Sequence, residues 1–103
     1  GLGRQYAVLA GDAEQSGADR SYTVHLHFME PRDKRPGERR FHVALNGRTL
    51  LEDFDIVAQA GSPNKGIVKT FQGIRASDFL TVSLTPADAN SETILCGIEI
   101  VAE

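Results

Sequence analysis

The strongest constraint on the fold is a clean two-residue alternation of apolar and polar side chains between residues 20 and 30. Side chains of a β-strand point alternately to the two faces of its sheet. Thr23, His25 and His27 therefore share one face, and the opposite face carries Tyr22, Val24, Leu26 and Phe28. This pattern predicts an antiparallel strand with one face in the core and the other towards solvent.

The same alternation recurs along the chain between polar turns, and no window shows a helical period. The further predicted strands cover residues 5–10, 40–45, 49–58, 66–74, 79–84 and 94–100. Asn46-Gly47 is the strongest hairpin signal because both residues tolerate positive φ. About seven or eight strands with turns every ~8–12 residues predict an all-β domain, a jelly-roll-like antiparallel β-sandwich. Its long loops should gather at the two ends.

The predicted core consists of residues that share the inward face of their strands. They are Tyr22, Val24, Leu26, Phe28, Phe41, Val43, Leu45, Val82, Ile98 and Ile100. Phe54 and Phe79 are also expected to face inward, and Cys96 is expected to be a small buried hydrophobe on the apolar face of the last strand. Tyr6, and after it Phe71, then remain as aromatic faces for a ligand.

Composition narrows the class of protein. The 103 residues make one domain, and the 11 basic and 14 acidic residues are scattered, giving a net charge of -3. We therefore expect no nucleic-acid or anionic-membrane partner. No apolar run is long enough to span a membrane. The single cysteine excludes an intrachain disulfide and any CxxC motif.

Five segments in register resemble the malectin family of carbohydrate-binding domains. The resemblance covers residues 20–103 and is closest to bacterial members that lie inside larger secreted, multidomain proteins. The segments are YTVHLHF at 22–28 followed by Glu30, RFHVALNG at 40–47, DFDI at 53–56 followed by Ala60-Gly61, LTVSL at 80–84 and GIEI at 97–100.

The resemblance implies a non-catalytic β-sandwich that binds glucose-containing oligo- or polysaccharides. It implies no cofactor, an extracellular or periplasmic location, and neighbouring domains of a parent protein as further partners, so that residues 1–103 are a module or fragment. In the animal lectin of this family a Tyr-Phe pair follows the strand that ends at Glu30. This chain has Pro31, Arg32 and Asp33 there, and Asp88 matches the family's acidic residue in the last loop.

The candidate carbohydrate contacts lie in loops 11–19, 31–39 and 86–92, with one aromatic platform outside them. They are Tyr6, Arg32, Asp33, Asp88 and Asn90. A sugar site needs a flat aromatic face and a few polar groups for the hydroxyls, and aromatic side chains are scarce here. The alternative is therefore a structural or protein-interaction β-sandwich module of a larger secreted protein.

Two further patterns could carry chemistry. His25, His27 and His42 would suit Zn or Cu if they converged on adjacent strands, but no fourth ligand is visible. Asp53 and Asp55 flank Phe54 on one predicted strand face and could suggest paired catalytic carboxylates. We instead expect them to fix the strand or a nearby loop by hydrogen bonds, so we expect neither an enzyme nor a metal site. A structural calcium ion stays an open alternative.

Overall fold

The computed structural model describes residues 3–9 and 19–103. Within these residues seven strands form two antiparallel sheets that face each other, one in the order β1-β6-β3-β4 and one in the order β5-β2-β7. The predicted antiparallel β-sandwich is confirmed. The elements are β1 Arg4–Leu9, β2 Arg20–Phe28, β3 Phe41–Leu45, β4 Arg48–Phe54, α1 Ile56–Ala60, β5 Ile67–Ala76, β6 Phe79–Pro86 and β7 Gly97–Ala102.

Strand β2 is the centre of the smaller sheet because it pairs with β5 on one side and β7 on the other. Leu26 lies opposite Lys69 and Ile98 and is fully buried. Eight of the predicted core residues are buried: Tyr22, Val24, Leu26, Phe28, Phe41, Val43, Leu45 and Val82. Ile98 and Ile100 pack against this core but are only partly buried, because β7 lies at the edge of its sheet.

The predicted hairpin joins β3 to β4, with Asn46 at φ 49° and Gly47 at φ 80°. The Asn46 side chain also donates to the backbone oxygen of Arg75 (2.8 Å) and accepts from the backbone N–H of Thr81 (2.8 Å). The hairpin is therefore fastened to β5 and β6 at the end of the sandwich opposite the candidate site.

The prediction that the return strand continues to Ala58 is wrong. Strand β4 ends at Phe54, and the short helix α1 follows. Asp55 caps the helix by accepting from the backbone N–H of Ala58 (3.0 Å), and Gly61, at φ 95°, ends it by donating to the carbonyl of Val57 (2.8 Å). A helix of five residues is too short to show a helical period.

Two further inward assignments are wrong. Phe79 is 58% exposed because it precedes the inward-facing Leu80 in β6, and neighbouring strand residues point to opposite faces. Cys96 is exposed because β7 begins only at Gly97, so the alternation of this strand does not extend to it.

The strand directions bring three connections to one end of the sandwich. Residues 29–40 leave the end of β2 and enter β3, residues 87–96 follow β6, and residues 61–66 precede β5. Backbone hydrogen bonds join them, from Ala87 N to Arg40 O (3.0 Å) and from Asn64 N to Glu30 O (2.7 Å). This end carries the candidate site. Of the third predicted contact loop, 11–19, only Asp19 lies within the described residues.

Candidate functional site

A small polar pocket lies where the 31–39 and 87–96 segments meet. Its volume is about 60 Å³, and its lining comprises Arg32, Lys34, Glu38, Arg39, Asn90 and Glu92. The fold thus brings together two of the sequence-predicted contacts, Arg32 and Asn90. Because about 10–15 Å³ of such space is enough for one water molecule, the pocket has room for a few hydroxyl groups. A saccharide would have to lie across its mouth.

A buried ion pair forms the floor of this pocket. Glu30 is fully buried, Arg39 is 7% exposed, and the guanidinium donates to both carboxylate oxygens of Glu30. The Nη1 atom of Arg39 also lies 3.9 Å from a carboxylate oxygen of the exposed Glu92. The three basic side chains of the lining are therefore balanced by its two acidic ones and by Glu30 beneath them.

Asp88 shapes the turn that presents Asn90. Its Oδ1 accepts from the backbone N–H of Asn90 (3.0 Å), and its Oδ2 accepts from Nη2 of Arg40 (2.9 Å). The Asn90 N–H, followed by smaller effects of Ser91 and Arg40, holds the pKa of Asp88 below its ordinary value of 3.8 and outweighs the desolvation that raises it. Arg40 also donates to Asp53 Oδ1 (3.2 Å), which joins this turn to the end of β4.

Asp33 and Tyr6 lie outside this pocket. Asp33 is exposed at a tight backbone turn, where Lys34 N donates to Arg32 O (2.8 Å). Tyr6 is 41% exposed and lines a second, more open cleft of about 350 Å³ between β1 and β7, together with Val8, Leu95, Cys96, Gly97 and Ile98. The structure therefore separates the predicted aromatic platform, Tyr6, from the polar contacts. Phe71, the second aromatic face considered from the sequence, is partly buried against the core.

The cleft beside Tyr6 follows from the unequal sheets. Tyr6 and Val8 are register partners of Val82 and Leu80, so they share the inward face of the four-stranded sheet. Among the described strands the opposite sheet has only three members and ends at β7. The inward face of β1 is consequently only partly covered.

The three histidines do not converge. His25 contacts Thr70 Oγ1 (2.8 Å) and His27 contacts Glu99 Oε1, both on the outer face of the three-stranded sheet. His42 lies on β3 in the other sheet, where its Nδ1 accepts from Asp53 N (3.2 Å), so the idea of an adjacent strand is wrong. Within residues 3–9 and 19–103, no group of three His, Cys, Asp or Glu side chains is arranged to hold a metal ion.

Asp53 and Asp55 do not share a face, contrary to the sequence-based expectation. Asp53 is exposed and has φ 48°, which interrupts the alternation, whereas Asp55 is buried. Asp55 accepts from the backbone N–H groups of Ala58 and Gly37. It thus links helix α1 to the 31–39 loop, as expected for a carboxylate that fixes a nearby loop.

The buried charges at this end of the sandwich were not predicted from the sequence. Glu30 continues the inward positions of β2, two residues after Phe28, and a charged group in a buried position requires a partner. The inward position of Glu30 in the alternation of β2 is the sequence signal that points to a buried charge. The basic partner, Arg39, comes from an irregular segment, so no periodicity pointed to it. Lys34, Glu38 and Glu92 likewise carry no pattern that marks them.

Comparisons with known proteins give a consistent picture. Residues 6–97 match the Malectin domain family. The chain is 36% identical over 84 residues to a probable receptor-like protein kinase of Arabidopsis thaliana, covering 77% of this chain and 10% of that protein. It is 34% identical over 84 residues to Receptor-like protein 4 of Arabidopsis thaliana, covering 80% of this chain and 13% of that protein.

Solved structures share the fold. The plant receptor-like kinase ANX2 superposes with a TM-score of 0.76 at 20% identity, and the plant receptor-like kinase FER with a TM-score of 0.70 at 22% identity. Each match covers 97% of this chain and 27% of the solved chain. The ANX2 ectodomain from Arabidopsis thaliana gives a TM-score of 0.75 at 18% identity, with 97% and 28% covered.

These matches correct one expectation and show how small a part of its relatives the chain covers. The sequence-based assignment to the bacterial type is wrong, because the curated relatives and the solved structures are plant proteins. The chain spans only 10% and 13% of the two curated relatives. None of the helices that the structure describes is long and apolar enough to cross a membrane.

Proposed function

Because the chain belongs to the malectin domain family, we propose that it is a non-catalytic carbohydrate-binding module whose contacts come from the 31–39 and 87–92 loops. The observation that carries the proposal is the polar pocket in which Arg32 and Asn90 meet. Arg32 and Asn90 contact the sugar directly, Asp33 contacts it at the rim, and Asp88 presents Asn90. Tyr6 supplies a stacking face only to a ligand long enough to reach the second cleft.

The chemistry of the lining suits sugar hydroxyls. A hydroxyl both donates and accepts, and the pocket offers guanidinium and ammonium donors, carboxylate acceptors and an amide that does both. Its balanced charge favours a neutral saccharide over an acidic one. The glucose-containing oligosaccharides that the family resemblance implies are neutral, so we propose them as the ligand class. One of the solved neighbours is a receptor ectodomain, so we place the module outside the cell.

Binding to a single chain is expected to be weak. The pocket is small and none of the described residues that line it is aromatic, so stacking contributes little there. Each hydrogen bond to a neutral partner nets only about 1 kcal/mol after water is displaced. A dissociation constant of roughly 1 mM, about -4 kcal/mol, is the expected order for such a site. Repeated modules in a longer protein would raise the working affinity.

Amide chemical shifts of the ¹⁵N-labelled chain test this proposal. The titrants are α-linked and β-linked glucose oligosaccharides, with a glucuronate oligosaccharide of the same length as the charged control. Saturable shifts should appear in the 31–40 and 87–92 segments and be larger for the neutral sugars. Shifts confined to other segments, or no saturable shift with any neutral sugar, would contradict the proposal.

A second candidate function, a protein-interaction or structural module, is favoured by the apolar cleft between β1 and β7. Strand β7 carries no inward charge and no proline, the devices that commonly protect a sheet edge. The proposed occupant is an extended segment of the parent polypeptide that pairs with β7. Slower hydrogen exchange of the β7 amides in a longer piece of the parent would support this function, and unchanged exchange would contradict it.

A further inference from the structure

We infer that Glu30 is a positioning residue for the polar pocket: it fixes both ends of the 31–39 loop and thereby sets the affinity for a saccharide. The inference rests on the proposed function for its ligand, but its structural part stands on the geometry alone. Glu30 lies two residues after the end of β2 and is fully buried.

The carboxylate of Glu30 ties the loop at its start and at its end. Oε2 accepts from the backbone N–H of Arg32 (3.2 Å), where the loop leaves the sandwich. Oε1 accepts from Nε of Arg39 and Oε2 accepts from its Nη2 (3.3 Å), where the loop returns to β3. One side chain thus closes the loop, and two lining residues of the pocket, Arg32 and Arg39, depend on it directly.

The backbone of Glu30 extends the same junction. Its carbonyl accepts from the backbone N–H of Asn64 (2.7 Å), which joins the 61–66 segment to the base of the loop. Asp55 holds the middle of the loop through Gly37 N. If the Glu30 carboxylate is removed, the middle clamp and these backbone bonds survive, while Arg32 N and the Arg39 guanidinium lose their shared acceptor.

Charge adds a second effect. Arg39 is buried, and a second carboxylate, that of the exposed Glu92, lies 3.9 Å from it. A buried guanidinium without a partner is costly, so Arg39 would turn towards Glu92 and the pocket mouth. The pocket would lose its floor and gain a net positive charge. Affinity for neutral sugars should fall, and the preference over a glucuronate oligosaccharide should weaken.

The test compares the whole chain with E30Q, which keeps the shape of the side chain, and with R39K, which keeps the charge but loses the paired geometry. The matched control is E52Q, at an exposed glutamate of β4. Hydrogen exchange is measured at the amides of Arg32 and Val24, and saccharide affinity by amide shifts with a glucose oligosaccharide and a glucuronate oligosaccharide.

We expect E30Q to speed exchange at Arg32 about tenfold, as loss of a hydrogen bond to a charged group implies. Exchange at Val24 in the core of β2 should change far less, and R39K should reproduce part of the effect. Neutral-sugar affinity should fall about tenfold in E30Q and stay unchanged in E52Q. Unchanged exchange at Arg32, or equal acceleration at Arg32 and Val24, would overturn the inference.

The exchange measurement needs no ligand, so it separates the two proposals. If the unsubstituted chain binds no saccharide while hydrogen exchange at Arg32 responds as expected, the positioning of the loop stands and the proposed function fails. If the unsubstituted chain binds a saccharide and E30Q binds it equally well, the function stands and the inference fails.

Discussion

Removing the Asp55 carboxylate should destabilise the domain, because this one group holds both helix α1 and the 31–39 loop. D55A deletes the cap on Ala58 N, which is worth about 1 kcal/mol in typical helices. It also deletes the acceptor for Gly37 N, a hydrogen bond to a charged group worth about 1.5–3 kcal/mol. Gly37 is exposed, so water can replace part of that bond and the lower figure applies. The sum is about 2–3 kcal/mol.

Urea unfolding at neutral pH measures this loss. A domain of this size has roughly 5–15 kcal/mol of stability, so the midpoint should fall clearly while the slope stays unchanged. D55N should recover about 1 kcal/mol, because asparagine caps helices as well as aspartate. D53N is the matched control, since the Asp53 side chain makes a surface ion pair with Arg40. A D55A loss below about 1 kcal/mol, or D55N as unstable as D55A, would refute the reasoning.

Three further predictions address the core, the hairpin and the candidate loop. Leu26→Ala should lower the free energy of unfolding in urea by about 2–5 kcal/mol, because Leu26 is fully buried. Val68→Ala, half exposed on β5, should change it by no more than about 0.5 kcal/mol. Equal losses would show that β2 is misplaced. Gly47→Ala should lower the free energy of unfolding by about 1 kcal/mol, because the φ of Gly47 is 80°. Gly66→Ala should lower it less, because the φ of Gly66 is not positive. A larger loss for Gly66→Ala than for Gly47→Ala would contradict the hairpin geometry. The lowered pKa of Asp88 contributes stability above pH 3.8 that is lost as pH falls through the folded-state pKa. The melting temperatures of the unsubstituted chain and of D88N should therefore differ at pH 7 and converge in acid. A difference that grows in acid would contradict the predicted direction of the pH dependence.

The strands and most of the core could be predicted because the chain alternates with the period of a strand. The inward positions of β2 led directly to Tyr22, Val24, Leu26 and Phe28, and all four are buried. The predicted core is wrong where a strand ends. Cys96 lies before β7, and its exposure follows from a boundary that alternation alone does not mark.

Helix α1 was not predicted for a different reason. Its ends are marked by residue types and not by a hydrophobic period. Asp55 before the helix and Gly61 after it have the types expected of an N-cap and of a left-handed C-terminal residue. Reading those two residues together would have ended β4 at Phe54. It would also have separated Asp53 from Asp55.

The candidate site was partly predictable because loops at one end of a sandwich often lie together. Arg32 and Asn90 do meet in one pocket. Tyr6 does not join them, because pairing of β1 with β6 carries its side chain to the inward face between the sheets. The contribution of Arg39 depends on a buried pair with Glu30 that forms only in three dimensions.

Calorimetric titration of the chain with a neutral glucose oligosaccharide tests the central claim most directly. The account predicts saturable heat with a dissociation constant of roughly 1 mM. Arg32→Ala and Asn90→Ala should each weaken binding several-fold, whereas Glu52→Ala, on the exposed face of β4, should leave it unchanged. Absence of saturable heat, or binding that survives the Arg32→Ala, Asn90→Ala double variant, would contradict the assignment of carbohydrate binding to this pocket.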